Sequence, residues 1–139
     1  MSAFFGTYSV SISSRNLICI PAAFRKVLER GGQKHAFVYP SLWRRCLEGC
    51  RIERIESLAR QAATGSKRNR DENALLEIAL NTGRLLKFDN RGRMSLPDEF
   101  LAIAGLSSDA LFSGRGKTFE IWQPTAFRRG AKSIKDQCG

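Results

Sequence analysis

"RNLICIPAAFRKVLERGG" (15–32) and "RGRMSLPDEFLAIAGL" (91–106) are two copies of one pattern. An offset of 76 positions lays Arg15 on Arg91, Ile20 on Leu96, Pro21 on Pro97, Phe24 on Phe100 and Val27 on Ile103. Each copy reads as a turn, a short apolar strand, a proline and a short amphipathic helix. Proline suits a first helical turn, where its missing N–H would have had no partner. Behind it, Phe24, Val27 and Leu28 recur at helical spacing, as do Phe100, Ile103 and Ala104. Gly31 and Gly105 supply the stops.

The correspondence continues downstream. "AFVYP" (36–40) and "ALFSG" (110–114) read as strands, and "RCLEGC" (45–50) and "TFEIW" (118–122) as their hairpin partners, the second closing around Gly114 and Gly116. "RIERIESLARQ" (51–61) sets Ile52, Ile55 and Leu58 on one helical stripe beside Ala59, and Pro124 starts a last helix. Between the copies, "ATGSKRNRDEN" (63–73) is a polar, basic linker in which Lys67, Arg68 and Arg70 are solvated. A helix over 71–83 follows, capped by Asp71 or Asn73, with Leu75, Leu76, Ala79 and Leu80 as its apolar face and Gly83 at its end. The predicted division is a first repeat at 1–62, a linker and connecting helix at 63–83, a second repeat at 84–130 and a frayed tail at 131–139. A unit of about 50 residues buries too little apolar surface to stand alone, so the two must share a core. The predicted fold is mainly β with short α-helices (α+β): a small, mainly antiparallel barrel of two pseudo-symmetric halves.

The charge speaks to partners. Twenty-three basic against 13 acidic residues leave +10 over 139 residues, which points first to nucleic acid. No apolar run approaches the roughly 18 residues of a membrane span, and the start "MSAFFGTYSVSISS" has no signal-peptide pattern, so a cytosolic protein with reduced cysteines is expected. Cys46 and Cys50, with His35 the single histidine, lack the paired spacings of a zinc site, and buried free thiols are the better reading. No metal or cofactor is expected. His35 reads as a surface or edge residue. No partner at a working spacing makes Asp89 catalytic, and a turn residue bonding its own backbone explains it better. The chain is therefore not read as an enzyme, and no small-molecule substrate is evident. Gly92 permits a positive φ in the turn that carries Arg91 and Arg93, whose guanidinium forks can meet phosphate or guanine. Phe4, Phe5, Phe119 and Trp122 are read as core or subunit-contact residues.

The pattern D-x-x-G-R-apolar-x-apolar-P, complete at Asp89, Gly92, Arg93 and Pro97 and repeated in part 76 residues earlier, together with "FEIW" (119–122), resembles the MraZ family of bacterial transcriptional regulators, whose domains are of the AbrB/SpoVT type. The resemblance covers about residues 1–130. It implies a swapped-hairpin, double-split β-barrel and a ring-like homo-oligomer. It also implies basic loops that face double-stranded DNA, at repeated sites upstream of division and cell-wall genes, in a cytoplasmic, nucleoid-associated protein. On that resemblance Arg15, Arg91 and Arg93 are the DNA-binding residues, and Asn16, Asp89 and Gly92 shape the turns. The first motif departs from the pattern: Ser13 replaces the aspartate, Asn16 the glycine and Leu17 the arginine, while Arg15 keeps a cation. Asparagine visits left-handed conformations readily, but leucine donates nothing to a phosphate. Leu17 supports the alternative of a diverged structural or partner-binding subunit that keeps the barrel without sequence-specific DNA binding. A general RNA or nucleoid binder is the weaker alternative.

Overall fold

A computed structural model of the chain describes residues 3–65, 67 and 69–130; the tail at 131–139, Cys138 within it, and Arg68 of the linker lie outside the described residues. The first repeat forms β1 (Thr7–Ser11), β2 (Leu17–Cys19), α1 (Ala22–Leu28), β3 (His35–Pro40), β4 (Leu47–Cys50) and α2 (Ile52–Ala63). Helix α3 (Arg70–Thr82) follows. The second repeat forms β5 (Arg84–Lys87), β6 (Arg93–Ser95), α4 (Asp98–Ala104), β7 (Asp109–Gly114), β8 (Phe119–Trp122) and α5 at 124–130. The protein is thus mainly β with short helices, an α+β fold. No helix among the described residues is long and apolar enough to cross a membrane.

The strands interleave the repeats. Six form an antiparallel sheet in the order β1-β7-β8-β4-β3-β5, and β2 pairs with β6 in a separate ribbon. Exchanging each strand for its counterpart in the other repeat reverses the sheet order and leaves it unchanged. The registers obey the same exchange. Ile18 pairs with Met94, its own equivalent 76 positions on, and Glu48 pairs with Glu120, its equivalent in the "LEGC" and "FEIW" strands. A pseudo-two-fold axis therefore passes through both pairs. Neither edge strand pairs within its own repeat: β1 lies on β7, and β5 on β3.

The ladders do not close into a barrel, contrary to the sequence expectation. Among the described residues, the isolated bridge Phe88–Met94 is the one β-bridge from beyond the six-stranded sheet to the ribbon. The cause lies in the motif. β2 and β6 are three residues long, and each is followed within two residues by a proline that has no N–H to give a ladder. Side chains fill the space that ladders leave. Ile18, Ile20, Met94 and Leu96 from the ribbon meet Phe24, Leu28, Phe100 and the sheet residues Val38, Leu47, Phe112, Phe119 and Ile121 in the main core.

A second core lies on the other face of β3. Alternation sends Ala36 and Val38 into the main core and Phe37 and Tyr39 outward, under α2 and α3, where Ile55, Leu58, Leu76 and Ala79 cover them. Helix α3 starts at an Asn69–Glu72 capping box, not at Asp71 or Asn73, because both reciprocal bonds form there (Glu72 N–H to Asn69 Oδ1, 2.7 Å; Asn69 N–H to Glu72 Oε1, 3.2 Å). Two stripe assignments also change. Leu80 is 65% exposed and Ile103 42%, since Ala79 and Ala104 occupy the inward positions beside them. Phe5 is exposed as well, so of the N-terminal phenylalanines Phe4 alone belongs to the core. His35 sits on the interior strand β3, paired opposite Lys87, and not on a sheet edge. At the end of α1, the Arg51 guanidinium donates to the carbonyls of Val27 (2.5 Å) and Arg30 (3.0 Å), capping groups that the helix leaves open.

Cys46 and Cys50 are buried free thiols, and burial pushes both up to about 12; Cys19 is exposed. Thiolate is the reactive form, so in the native protein a thiol reagent at pH 8 is expected to label Cys19 while Cys46 and Cys50 react only after denaturation. Peptide mapping of the labelled sites checks this, and native labelling of Cys50 would contradict the second core.

Candidate nucleic-acid interface

The two motif loops keep one backbone geometry. In the second, Gly92 N–H bonds Asp89 O (2.9 Å), Asp89 N–H bonds Arg93 O (3.1 Å), and Gly92 sits at φ 81°. In the first, Asn16 N–H bonds Ser13 O (3.0 Å), Ser13 N–H bonds Leu17 O (3.0 Å), and Asn16 sits at φ 60°, the one non-glycine residue of positive φ among those described. Asparagine thus holds the turn in the left-handed conformation expected of it.

What differs is what the loops carry. Asp89 Oδ1 accepts from the backbone N–H of both Arg91 and Arg93 (2.9 Å each), and Oδ2 accepts from Arg93 Nε (2.8 Å). The Arg93 backbone bond, then its guanidinium and the Arg91 backbone bond, hold the Asp89 carboxyl below the usual aspartate range. Asp89 therefore stays ionised, and the contribution it makes to the loop is present at neutral pH and lost only as pH falls through that lowered value. Arg93 is tethered through Nε, which leaves its two terminal nitrogens to point elsewhere. The Arg91 guanidinium has no partner among the described residues. Ser13 supplies none of the Asp89 bonds.

A third arginine joins the second loop from the first repeat. Ile20 N–H bonds Gly92 O (2.8 Å), and Arg25, on α1, donates Nε to Ile20 O (3.2 Å) while its side chain lies over Gly92. A Cβ built on Gly92 would stand 2.4 Å from Arg25 Cδ. The sequence reading missed Arg25 because the contact joins the two repeats. A signal existed: 76 positions on, Leu101 stands in its place and no cation covers the first loop. Lys34 also reaches this loop, donating to Asn90 Oδ1. Arg25, Lys34, Arg91 and Arg93 therefore share one loop, whose single carboxylate, Asp89, is already engaged by Arg93.

The first loop has the opposite balance. Arg15 is its single cation. Asn16 Nδ2 donates to Asp98 Oδ1 (2.6 Å), and Asp98 and Glu99 form the acidic first turn of α4, with Glu99 paired to Arg84 at 2.5 Å. The corresponding turn of α1, next to the second loop, contains no acid. The antiparallel ribbon also separates the loops. Leu17–Ser95 and Cys19–Arg93 close its two ends, two residues or about 7 Å apart along the strand, so Arg15 lies at one end and Arg91 with Arg93 at the other. The three expected DNA-binding arginines thus do not form one site. Chemically, the second loop offers several guanidinium donors to an anion, and the first offers one cation beside carboxylates.

Gly92→Ala is expected to lower stability by about 1–2 kcal/mol, the cost of an L residue at left-handed φ, and to push Arg25 off the loop. Urea denaturation measures the first effect; a loss below a few tenths of a kcal/mol would mean the turn is not held as described.

Comparison with known proteins points to one family. A family model described as "MraZ protein" matches residues 82–137, which span the second loop. The chain is 32% identical over 135 residues to the protein named Transcriptional regulator MraZ of Rickettsia canadensis (strain McKiel), covering 97% of this chain and 91% of that protein. It is 32% identical over 126 residues to the protein of the same name from Pelagibacter ubique (strain HTCC1062), covering 91% of this chain and 81% of that protein.

Proposed function

The chain belongs to the MraZ family, and from that premise we propose that it is a transcriptional regulator whose second motif loop makes the principal contact with double-stranded DNA. The observation that carries this reading is the concentration of Arg25, Arg91 and Arg93 on the Asp89–Gly92 turn, with Asp89 fixing the direction of Arg93. Phosphate contacts from these cations set register, and a guanidinium held in place reaches a groove at little entropic cost. Arg15, alone and near Asp98, adds a weaker contact.

In this reading the repeats at 1–62 and 84–130 are halves of one DNA-facing unit joined through 63–83. A homo-oligomer in the cytoplasm, on the nucleoid, then aligns several second loops along repeated sites upstream of division and cell-wall genes. One loop per subunit binds weakly, and linking several raises the overall affinity by effective concentration without any new contact.

A duplex carrying tandem sites, compared with a scrambled duplex of equal length at one salt concentration, tests the reading. Specific binding is expected to exceed scrambled binding by at least about a thousandfold. Equal affinity for both duplexes would leave a charge-driven, unspecific nucleic-acid binder, and no binding to either would favour the partner-binding subunit that Leu17 suggests.

A further inference from the structure

One of the two most exposed large apolar side chains among the described residues stands on a connection whose backbone is pinned by its neighbours. Trp43, 65% exposed, stands with Leu42 on the connection between β3 and β4. That connection is pinned by the Ser41 N–H bond to Cys46 O (2.9 Å) and by Ser41 Oγ, which accepts from the N–H groups of Trp43 and Arg44 (3.3 Å each). It is pinned again by Arg44, whose guanidinium reaches the buried Glu120 at 2.7 Å. Leu42 then forms one wall of an open groove whose other wall is Ala74, Glu77 and Ile78 of α3. Trp43 extends the groove toward Leu75, Asp71 and Arg54.

Both parts break the pseudo-symmetry. Helix α3 lies between the repeats and has no counterpart among the described residues, and the β7–β8 connection that matches Ser41–Cys46 is shorter by two residues. The charge is local too. Helix α3 carries Asp71, Glu72 and Glu77 against Arg70, in a chain of net +10. Glu72 is used in the capping box, but Asp71 and Glu77 have no ion-pair partner among the described residues. In the second repeat, α5 presents exposed Arg128 and Arg129 beside the half-buried Phe127, which packs on Trp122; there is no acid in 124–130, and Asp109 is the one acid lining the hollow that Arg128 borders.

We propose that the Trp43–α3 groove receives α5 of a second copy of this chain, in a head-to-tail contact. A copy of net charge +10 is repelled by most of the surface, and the α3 wall is a place where its basic helix gains instead. A symmetric contact around Trp43 would set Asp71 and Glu77 against the same residues of the partner, which like-charge repulsion disfavours; a groove on one repeat and a basic helix on the other make a heterologous contact. The exposed indole supplies the kind of anchor that dominates interface energies. Arg54, at the Trp43 end, is the one cation that lines the groove, and it lies away from the Glu77 wall; Arg70 of α3 and Arg44 and Arg45 of the connection stand outside that lining. The inference deepens the assembly part of the proposed function and does not depend on which loop touches DNA.

The test is sedimentation velocity on the full chain. Trp43→Asp is expected to weaken self-association by at least about thirtyfold, the scale of a lost interface hot spot. Because Trp43 is exposed, this variant retains its fold, which circular dichroism verifies. The variants D71K/E77K and R128E/R129E are each expected to weaken association by at least about tenfold, and their combination to restore it to within about threefold of wild type. A wild type that is monomeric at micromolar concentration, a Trp43→Asp variant that assembles like wild type, or a combined variant no better than its parents overturns the proposal and leaves the groove to a different protein. Affinity for a duplex with a single site, measured on the same samples, separates the two readings. Assembly lost with single-site affinity kept supports the groove, whereas single-site binding absent from the wild type strikes at the proposed function alone.

Discussion

Arg93→Ala lowers affinity for a repeat-containing duplex by about ten- to a hundredfold for each loop engaged, the scale of one charge-assisted hydrogen bond to phosphate or base. It also flattens the salt dependence, because log K falls by about 0.9 per tenfold rise in salt for each phosphate neutralised. Arg93 is exposed, and Asp89 keeps its two backbone bonds without the side chain, so the fold survives the substitution and the loss is one of binding. The mirror experiment is Leu17→Arg. The first loop already has the left-handed residue at Asn16 that this arginine needs, so affinity and slope both rise. The gain stays below the loss at Arg93, since Ser13 offers no carboxylate to orient the new guanidinium and Asp98 competes for it. Adding Ser13→Asp to Leu17→Arg recovers more of the difference. Salt titrations of the four proteins give all these quantities; an Arg93→Ala protein with wild-type affinity and slope would reduce the second loop to a hairpin tip.

The second large effect is on the fold. Phe24 is fully buried, with ring centroids at 5.3 Å from Phe4, 5.4 Å from Tyr8, 5.5 Å from Phe119 and 6.1 Å from Phe112. It joins α1 to β1, β7 and β8, so its removal opens a cavity that three elements border. Phe24→Ala is expected to cost about 3–5 kcal/mol, a large part of the 5–15 kcal/mol that a domain possesses. DNA binding falls with it, because Arg25 is the next residue on the same short helix. Urea denaturation gives the first quantity, and a loss under 1 kcal/mol would contradict the packing of α1 between ribbon and sheet.

These two experiments also mark what the chain's own letters reveal. The repeat was legible because proline and glycine constrain the backbone wherever they stand, so Pro21 with Pro97, and Gly92 with its stand-in Asn16, fix turn and helix start in both copies. The free thiols Cys46 and Cys50, and Asp89 as a turn residue, followed from the absence of chemical partners. Barrel closure did not follow, since hydrogen-bonded ladders depend on strand length, and β2 and β6 stop at three residues. Leu80 and Ile103 had the right period for a buried stripe, but which side of a stripe faces inward is decided by what packs there. The cap at Asn69 was legible after all, as Asn-x-x-Glu ahead of an apolar run. Arg25 was the costliest omission: its place over Gly92 depends on β2 pairing with β6, and only the assembled fold brings position 25 to position 92.

The central claim is that the second loop, and not the first, meets DNA most closely. Photo-crosslinking to a repeat-containing duplex from a photoreactive side chain placed at Arg91, and separately at Arg15, tests it directly. Strong crosslinking from position 91, with position 15 several-fold weaker, is the predicted result; equal or stronger crosslinking from position 15, or none from position 91, would contradict it.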